Sequence, residues 1–260
     1  KIPNKPTQEE VDEHELIHIP FRNWCKHCVF GKAQSDPHRK VKARKRGKPQ
    51  ISWDYCYLNE KEFSGPRPAV VEGQGMPVVV EYDHEADGPL AFMCPNKGEC
   101  EYAILRGSQD VNHILGRKEV IFKSDQEPAI KVMLKGISSL AGDQVIIEES
   151  PVGESQSNGV VENAIKGIQG QFRTFRSDVE TQYGNKIAED HPGLPWLVRH
   201  TALTIFRTRV GKDGKTAYER LKGKKFNARQ VKWGECIWYF KPKSKGKFKG
   251  SSRWASGVWY

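Results

Sequence analysis

The chain has 260 residues, 37% of them hydrophobic, and a formal net charge of +10 at neutral pH. No run approaches the ~18 apolar residues of a membrane span, no leader-like segment opens the chain, and six cysteines are too few for a disulfide scaffold of this length. The charge is uneven: residues 22–50 carry ten Lys/Arg against one acid, residues 207–260 sixteen against three, and residues 51–206 fourteen against twenty-three. Two basic arms therefore flank an acidic body, as in a polyanion binder whose body holds carboxylates for metal chemistry.

Four zones follow in chain order. Residues 1–35 contain His14-x3-His18-x6-Cys25-x2-Cys28. On a helix His14 and His18 share a face, and a Cys-x2-Cys knuckle adds two thiolates, which together make a tetrahedral zinc site. His27 and His38 are alternative ligands. Residues 36–50 (DPHRKVKARKRGKPQ) have almost no apolar content and read as a basic linker.

Residues 51–210 alternate between strand and helix periodicity. ISWDYCYL (51–58) is a half-buried strand with Ile51, Trp53, Tyr55 and Tyr57 on one face and Asp54 on the other. MPVVVEYD (76–83) and GPLAFMCP (88–95) are two more strands around a turn, and 100–116 is helical. EVIFKSD (119–125) is a strand with a polar tip, Pro128 opens a helix, and QVIIEES (144–150) is a further strand before the loop 151–159. The order β-β-β-α-β-α-β-α-α predicts a mixed sheet with helices on its faces. In the helix from about Asn158, Val161, Ala164, Ile165, Ile168, Phe172, Phe175 and Val179 make the core stripe. A second stripe, Glu162, Lys166, Gln169, Arg173 and Arg176, borders it.

Residues 211–260 hold four of the seven tryptophans among lysines and glycines. The alternation in CIWYFK predicts a short-stranded barrel with its tryptophans in the core. The lysine-glycine run, with Lys243, Lys245 and Lys247, is its phosphate-contacting loop. Cys56 and Cys236 read as core residues, and Cys94 and Cys100 as ordinary cysteines at a strand end.

Three acids occupy positions suited to metal chemistry. Asp54 lies on the first strand, Asp125 at the end of the fourth, and Glu162 in the first turns of the long helix. Two divalent cations ~3.5–4 Å apart, clamped by such a trio, support in-line phosphoryl transfer, and hard oxygen ligands select Mg²⁺ or Mn²⁺. Asp83 and Asp87 are rival acids for the first position, but their place at a turn favours solvated turn chemistry.

SQSNGVVENAIKGIQGQFR (155–173), with KSDQEPAI (123–130) and WDYC around Asp54, resembles the catalytic core of retroviral and LTR-retrotransposon integrases, the D,D-35-E family. Thirty-six residues separate Asp125 from Glu162. TAYERLKGKKF (216–226) and GECIWYF (234–240) are most similar to the stretch after the integrase core of copia-type Pol polyproteins.

The resemblance implies an α/β, RNase H-like fold: a mixed five-stranded sheet flanked by helices. It implies four parts: a zinc module at 1–35, a basic linker at 36–50, a catalytic core at 51–210, and a small basic β-rich module at 211–260, cut short at its end. The implied activity is processing of retrotransposon cDNA ends and their joining to target DNA. Asp54, Asp125 and Glu162 become catalytic Mg²⁺ or Mn²⁺ ligands, and His14, His18, Cys25 and Cys28 the Zn²⁺ ligands. Lys166 and Gln169 match positions that touch the cDNA end, with Arg173 further along the same stripe. The implied protein is an intracellular homo-oligomer bound to DNA, with no membrane partner, in the nucleus or a retrotransposon particle. The alternatives are a ribonuclease H, with Glu101 as its fourth acid, and a catalytically dead nucleic-acid-binding remnant.

Overall fold

The computed structural model describes residues 5–17, 22–26, 47–58, 75–142, 144–150, 159–241 and 250–260. The chain divides into two compact units, 1–46 and 47–260. In the first, helix α1 (Gln8–Ile17) starts at a reciprocal cap. The Glu10 backbone N–H donates to Thr7 Oγ1 at 3.3 Å, and the Thr7 N–H donates to the Glu10 carboxylate at 3.0 Å. His14 and Cys25 are buried, and the His14 ring meets Trp24 edge-on at 5.0 Å. His18, His27, Cys28 and His38 lie outside the described residues.

The second unit is built on a five-stranded sheet of order β3-β2-β1-β4-β5. Its strands are β1 (Gln50–Cys56), β2 (Val78–Asp83), β3 (Gly88–Met93), β4 (Val120–Ser124) and β5 (Val145–Glu149). The first three form an antiparallel meander, whereas β4 lies parallel to β1 and β5 parallel to β4. The expected mixed sheet is therefore present, with strands and helices following one another along the chain as expected. The helices are α2 (Glu101–Gln109), α3 (Pro128–Ala141), α4 (Gly159–Tyr183), α5 (Leu194–Thr208) and α6 (Ala217–Lys222). Among the described residues no helix is long and apolar enough to cross a membrane.

Strand alternation sends side chains into two cores. Ile51, Trp53, Tyr55, Leu90, Phe92 and Phe122 pack with Ile130, Met133, Leu134 and Ile137 of α3. Val78, Val80, Ala91 and Met93 pack on the other face with α4 and α5. Burial of each such side chain is worth about 1.5–3 kcal/mol. Helices α2 and α3 approach closely because each offers the other a glycine. A Cβ on Gly107 would lie 2.5 Å from Ile137 Cδ1, and one on Gly136 would lie 2.5 Å from Ile104 Cδ1. On α4 the buried residues are Val161, Ala164, Ile168, Phe172 and Val179, the stripe that the sequence spacing predicts.

The helical stretch after β3 ends in a π-helical turn, Asp110–Leu115, that the periodicity does not reveal. Asp110 is fully buried and accepts two hydrogen bonds from Arg199 of α5, at 2.6 and 2.5 Å. Arg199 also reaches the Ala91 carbonyl at 3.4 Å, tying α5 to the edge strand β3. Beside this pair, Glu81 of β2 is buried with its carboxyl group set against that of Asp110. Burial raises its pKa well above the usual carboxylate range, the Asp110 charge and a hydrogen bond to Asp110 that the protonated form makes add to the effect, and Arg199 and Arg106 only partly oppose it.

The tail departs from expectation. Strands β6 (Cys236–Phe240) and β7 (Trp254–Val258) form a two-stranded hairpin, and no barrel closes among the described residues. Trp233 is buried against α4, but Trp238, Trp254 and Trp259 are exposed, and so is Cys236. Among the described residues the hairpin has two strands and no second layer, so its alternating apolar pattern has little to pack against. Lys243, Lys245 and Lys247 lie outside the described residues.

A carboxyl whose pKa is raised on folding favours the folded state fully below the unfolded value, near 4.5 for Glu81. That contribution is lost as pH climbs toward the raised folded value. Glu81→Gln cannot ionise, so the variant should gain thermal stability relative to the parent, by a margin that widens as pH rises above about 4.5. A margin that stays constant from pH 4 to pH 8 in calorimetry contradicts the buried-acid account.

Candidate carboxylate site at the ends of two parallel strands

Between β1 and β4 the register pairs Gln50 with Ile121, Ile51 with Phe122 and Ser52 with Lys123. Carried two residues further, it sets Asp54 level with Asp125. Parallel neighbours run about 4.8 Å apart, so adjacent strand ends deliver two carboxylates side by side. Alternation also gives them a common face. Ile51, Trp53 and Tyr55 enter the core under α3, and Asp54 lies on the side of Cys56, which packs toward α4. β4 repeats the pattern: Val120 and Phe122 are buried in the α3-side core, and Asp125 is out of phase with them.

Each aspartate is fixed by a backbone N–H. Asp54 Oδ1 accepts from Tyr55 N at 2.8 Å, and Asp125 Oδ1 accepts from Glu127 N at 3.1 Å, in a turn that leads into α3. Gln126 Nε2 donates to the Ser150 carbonyl at 3.1 Å, tying the same turn to the end of β5. Glu162 stands exposed in the first turn of α4, where the helix dipole favours a negative charge.

The pKa of Asp54 is raised to about 6. Burial is the largest cause, partly offset by the Tyr55 N–H, and the charges of Asp125, Glu127 and Glu162 raise it further. Three acids, two from the turn after β4 and one from α4, thus act on one carboxylate of β1. Glu127 escaped the sequence reading. Its signal, an acid two residues after Asp125, was present, but its position before Pro128 reads as an ordinary helix start.

The other candidates fall as follows. Lys166 and Arg173 are exposed along α4, whereas Gln169 Nε2 donates to the Tyr57 carbonyl at 3.3 Å and ties α4 to the chain leaving β1. Asp83 is not solvated, contrary to expectation. It is buried, accepts from Arg117 at 2.7 and 2.9 Å and from the Ala86 N–H at 2.7 Å, and sits opposite Ile51 at the far end of β1. Asp87 is an exposed turn residue at φ 56° that accepts from Tyr82. Glu101 is exposed in the first turn of α2. Cys94 is buried, donates to the Pro77 carbonyl, and has its thiol pushed up to about 12 by burial, so it offers no thiolate at neutral pH.

Among the described residues no group of three or more His, Cys, Asp or Glu side chains closes around a point that could hold a metal ion. The donor chemistry nevertheless suits a hard cation. Asp54 and Asp125 each engage one oxygen with the backbone and keep the second, and a divalent ion would offset both the burial of the Asp54 charge and the neighbouring negative charges that raise its pKa.

No protein-family model and no curated protein matches the sequence. Among the solved structures similar to it are three integrase structures. The catalytic core domain of BIV integrase has a TM-score of 0.43 and 16% identity over 67% of this chain and 93% of that one. The simian T-cell lymphotropic virus intasome, in complex with a PP2A regulatory subunit, has a TM-score of 0.44 and 14% identity over 78% and 68%. The HTLV-2 integrase catalytic core domain in complex with magnesium, in a dimeric form, has a TM-score of 0.42 and 13% identity over 65% and 92%.

Proposed function

We propose that the chain is a metal-dependent polynucleotidyl transferase of the copia-type retrotransposon integrase kind, which processes cDNA ends and joins them to target DNA. The observation that carries this reading is the β1–β4 register, which levels Asp54 with Asp125, together with the charge of Glu162 acting on the same carboxylate. Asp54, Asp125 and Glu162 would hold two divalent cations. Such cations polarise the attacking oxygen and stabilise the leaving oxygen of an in-line phosphoryl transfer.

The chain's own residues then orient the DNA. Exposed Lys166 and Arg173 lie one and three turns beyond Glu162 and offer phosphate contacts along α4. Gln169 holds the end of β1 against that helix and keeps the Asp54 strand in line with it. The lysine run 241–249, in which Lys243, Lys245 and Lys247 stand, adds a salt-dependent hold on the DNA backbone. Assembly as a homo-oligomer on DNA, in the nucleus or a retrotransposon particle, belongs to the same reading.

Joining of a cDNA-end duplex to plasmid DNA, with Mg²⁺ or Mn²⁺, tests the proposal. Glu162→Gln keeps the shape and loses the charge that holds a cation. It should lower joining by roughly 10³-fold, because metal charge stabilisation is worth several kcal/mol and each 1.36 kcal/mol is tenfold. DNA affinity should hardly change. Cleavage of the RNA in a hybrid without joining would identify a ribonuclease H instead. Neither activity, with DNA binding intact, would identify a non-catalytic binding module.

In the first unit we infer a zinc site of His14, His18, Cys25 and Cys28. Burial of a histidine and a cysteine in so small a unit supports it, since such units commonly need a metal to be stable. Elemental analysis of the full chain should find one zinc, lost in Cys25→Ser. Zinc retained by that variant removes Cys25 from the site.

A further inference from the structure

A second set of residues sits at the rim of the carboxylate site and is not used by the phosphoryl-transfer reading. The loop after β3, CPNKGEC (94–100), is pinned in place. The Cys94 N–H donates to the Pro77 carbonyl at 2.9 Å, and the Gly98 N–H donates to the Tyr55 hydroxyl at 3.3 Å. That hydroxyl donates in turn to Met133 Sδ of α3 at 3.2 Å. Gly98 lies at φ 88°, a left-handed conformation that glycine adopts without strain, and this turn aims the preceding residue, Lys97, at the ends of the strands.

Lys97 is held from two sides. Its Nζ donates to Glu127 Oε1 at 2.7 Å and lies 5.0 Å from the Tyr55 ring and 5.3 Å from the Tyr57 ring. Tyr55 belongs to the strand that carries Asp54, Tyr57 follows directly on that strand's end, and Glu127 lies two residues after Asp125. The Lys97 side chain is 23% exposed. An ammonium has three donors, and Glu127 takes one of them.

Any DNA phosphate that reaches Asp54, Asp125 and Glu162 must also pass the charge of Glu127. A cation bound to Glu127 at that rim cancels the nearest repulsion and presents donors to the incoming strand. We propose that Lys97 is a positioning residue, which contacts one backbone phosphate of the DNA lying across the carboxylate site while Glu127 and the two tyrosine rings hold it in place. The inference rests on the polynucleotidyl-transferase reading and adds to it a named contact outside the metal-binding trio and outside α4.

The test is an equilibrium binding cycle with the full chain. A duplex carries a single uncharged methylphosphonate, walked one position at a time along the strand, and the parent is compared with Lys97→Ala. With unmodified duplex, Lys97→Ala should bind about tenfold more weakly, as expected for one charge-assisted hydrogen bond. Its slope of log affinity against log salt should shrink by about 0.9, the signature of one lost phosphate contact. At one position the methylphosphonate should weaken the parent by a similar factor and leave Lys97→Ala unchanged. Lys97→Arg should keep most of the parent's affinity, and the melting temperature of each variant reports its fold.

Penalties that multiply independently at every position would overturn the proposal. So would a Lys97→Ala variant with lowered melting temperature and parental DNA affinity, which would make the pair with Glu127 purely structural. Because the readout is binding, coupling at one phosphate without strand joining would leave the Lys97 contact standing and count against the enzyme reading. Joining without coupling would remove Lys97 alone.

Discussion

Parallel pairing of β1 with β4 forces Asp54 and Asp125 to leave the sheet at the same level, and two carboxylates so placed repel each other. The rest of the second unit accommodates that repulsion. Backbone N–H groups of Tyr55 and Glu127 each absorb one carboxylate oxygen. The Glu162 charge is brought in by a helix whose neighbouring stripe is buried, so its position is set by packing rather than by attraction to the site. Burial and neighbouring charge together leave Asp54 with a pKa of about 6. Repulsion of this kind is a poor way to stabilise a fold and a reasonable way to prepare a cation site.

A second electrostatic device operates on the other side of β2. Asp110 and Arg199 form a buried, doubly hydrogen-bonded pair that joins the π-helical turn to α5 and, through Ala91, to the edge strand. Removing either partner would strand a charge in the interior, so the pair specifies how α5 wraps the sheet edge more than it adds net stability. The two devices differ in exposure. The Asp110 pair is sealed, whereas the carboxylates of the strand ends open to solvent at Asp125 and Glu162.

Much of this was legible in the sequence because it rests on local periodicity. Alternation in ISWDYC fixed which face Asp54 would take, the stripe from Val161 to Val179 fixed the buried side of α4, and Pro128 marked the start of α3. What escaped depends on partners distant in sequence. Nothing in VVVEYD marks Glu81 until Asp110 and Arg199 are brought beside it, and Asp83 reads as a turn acid until Arg117 arrives from 34 residues away. Glu127 and Lys97, 30 residues apart, carry no joint pattern at all. In the tail, alternation in CIWYF gave the strand correctly and burial wrongly. A strand's apolar residues are buried only where a second layer exists, and that layer is a tertiary fact.

The account stands or falls on whether Asp54, Asp125 and Glu162 bind the same ions. Crystals grown with Mn²⁺ and measured at the manganese absorption edge would locate those ions directly by anomalous scattering. The account predicts manganese bonded to oxygens of both Asp54 and Asp125, with Glu162 completing the site from α4. Manganese absent from these carboxylates at saturating concentration, or bound elsewhere with Asp54 still held only by the Tyr55 N–H, would contradict it.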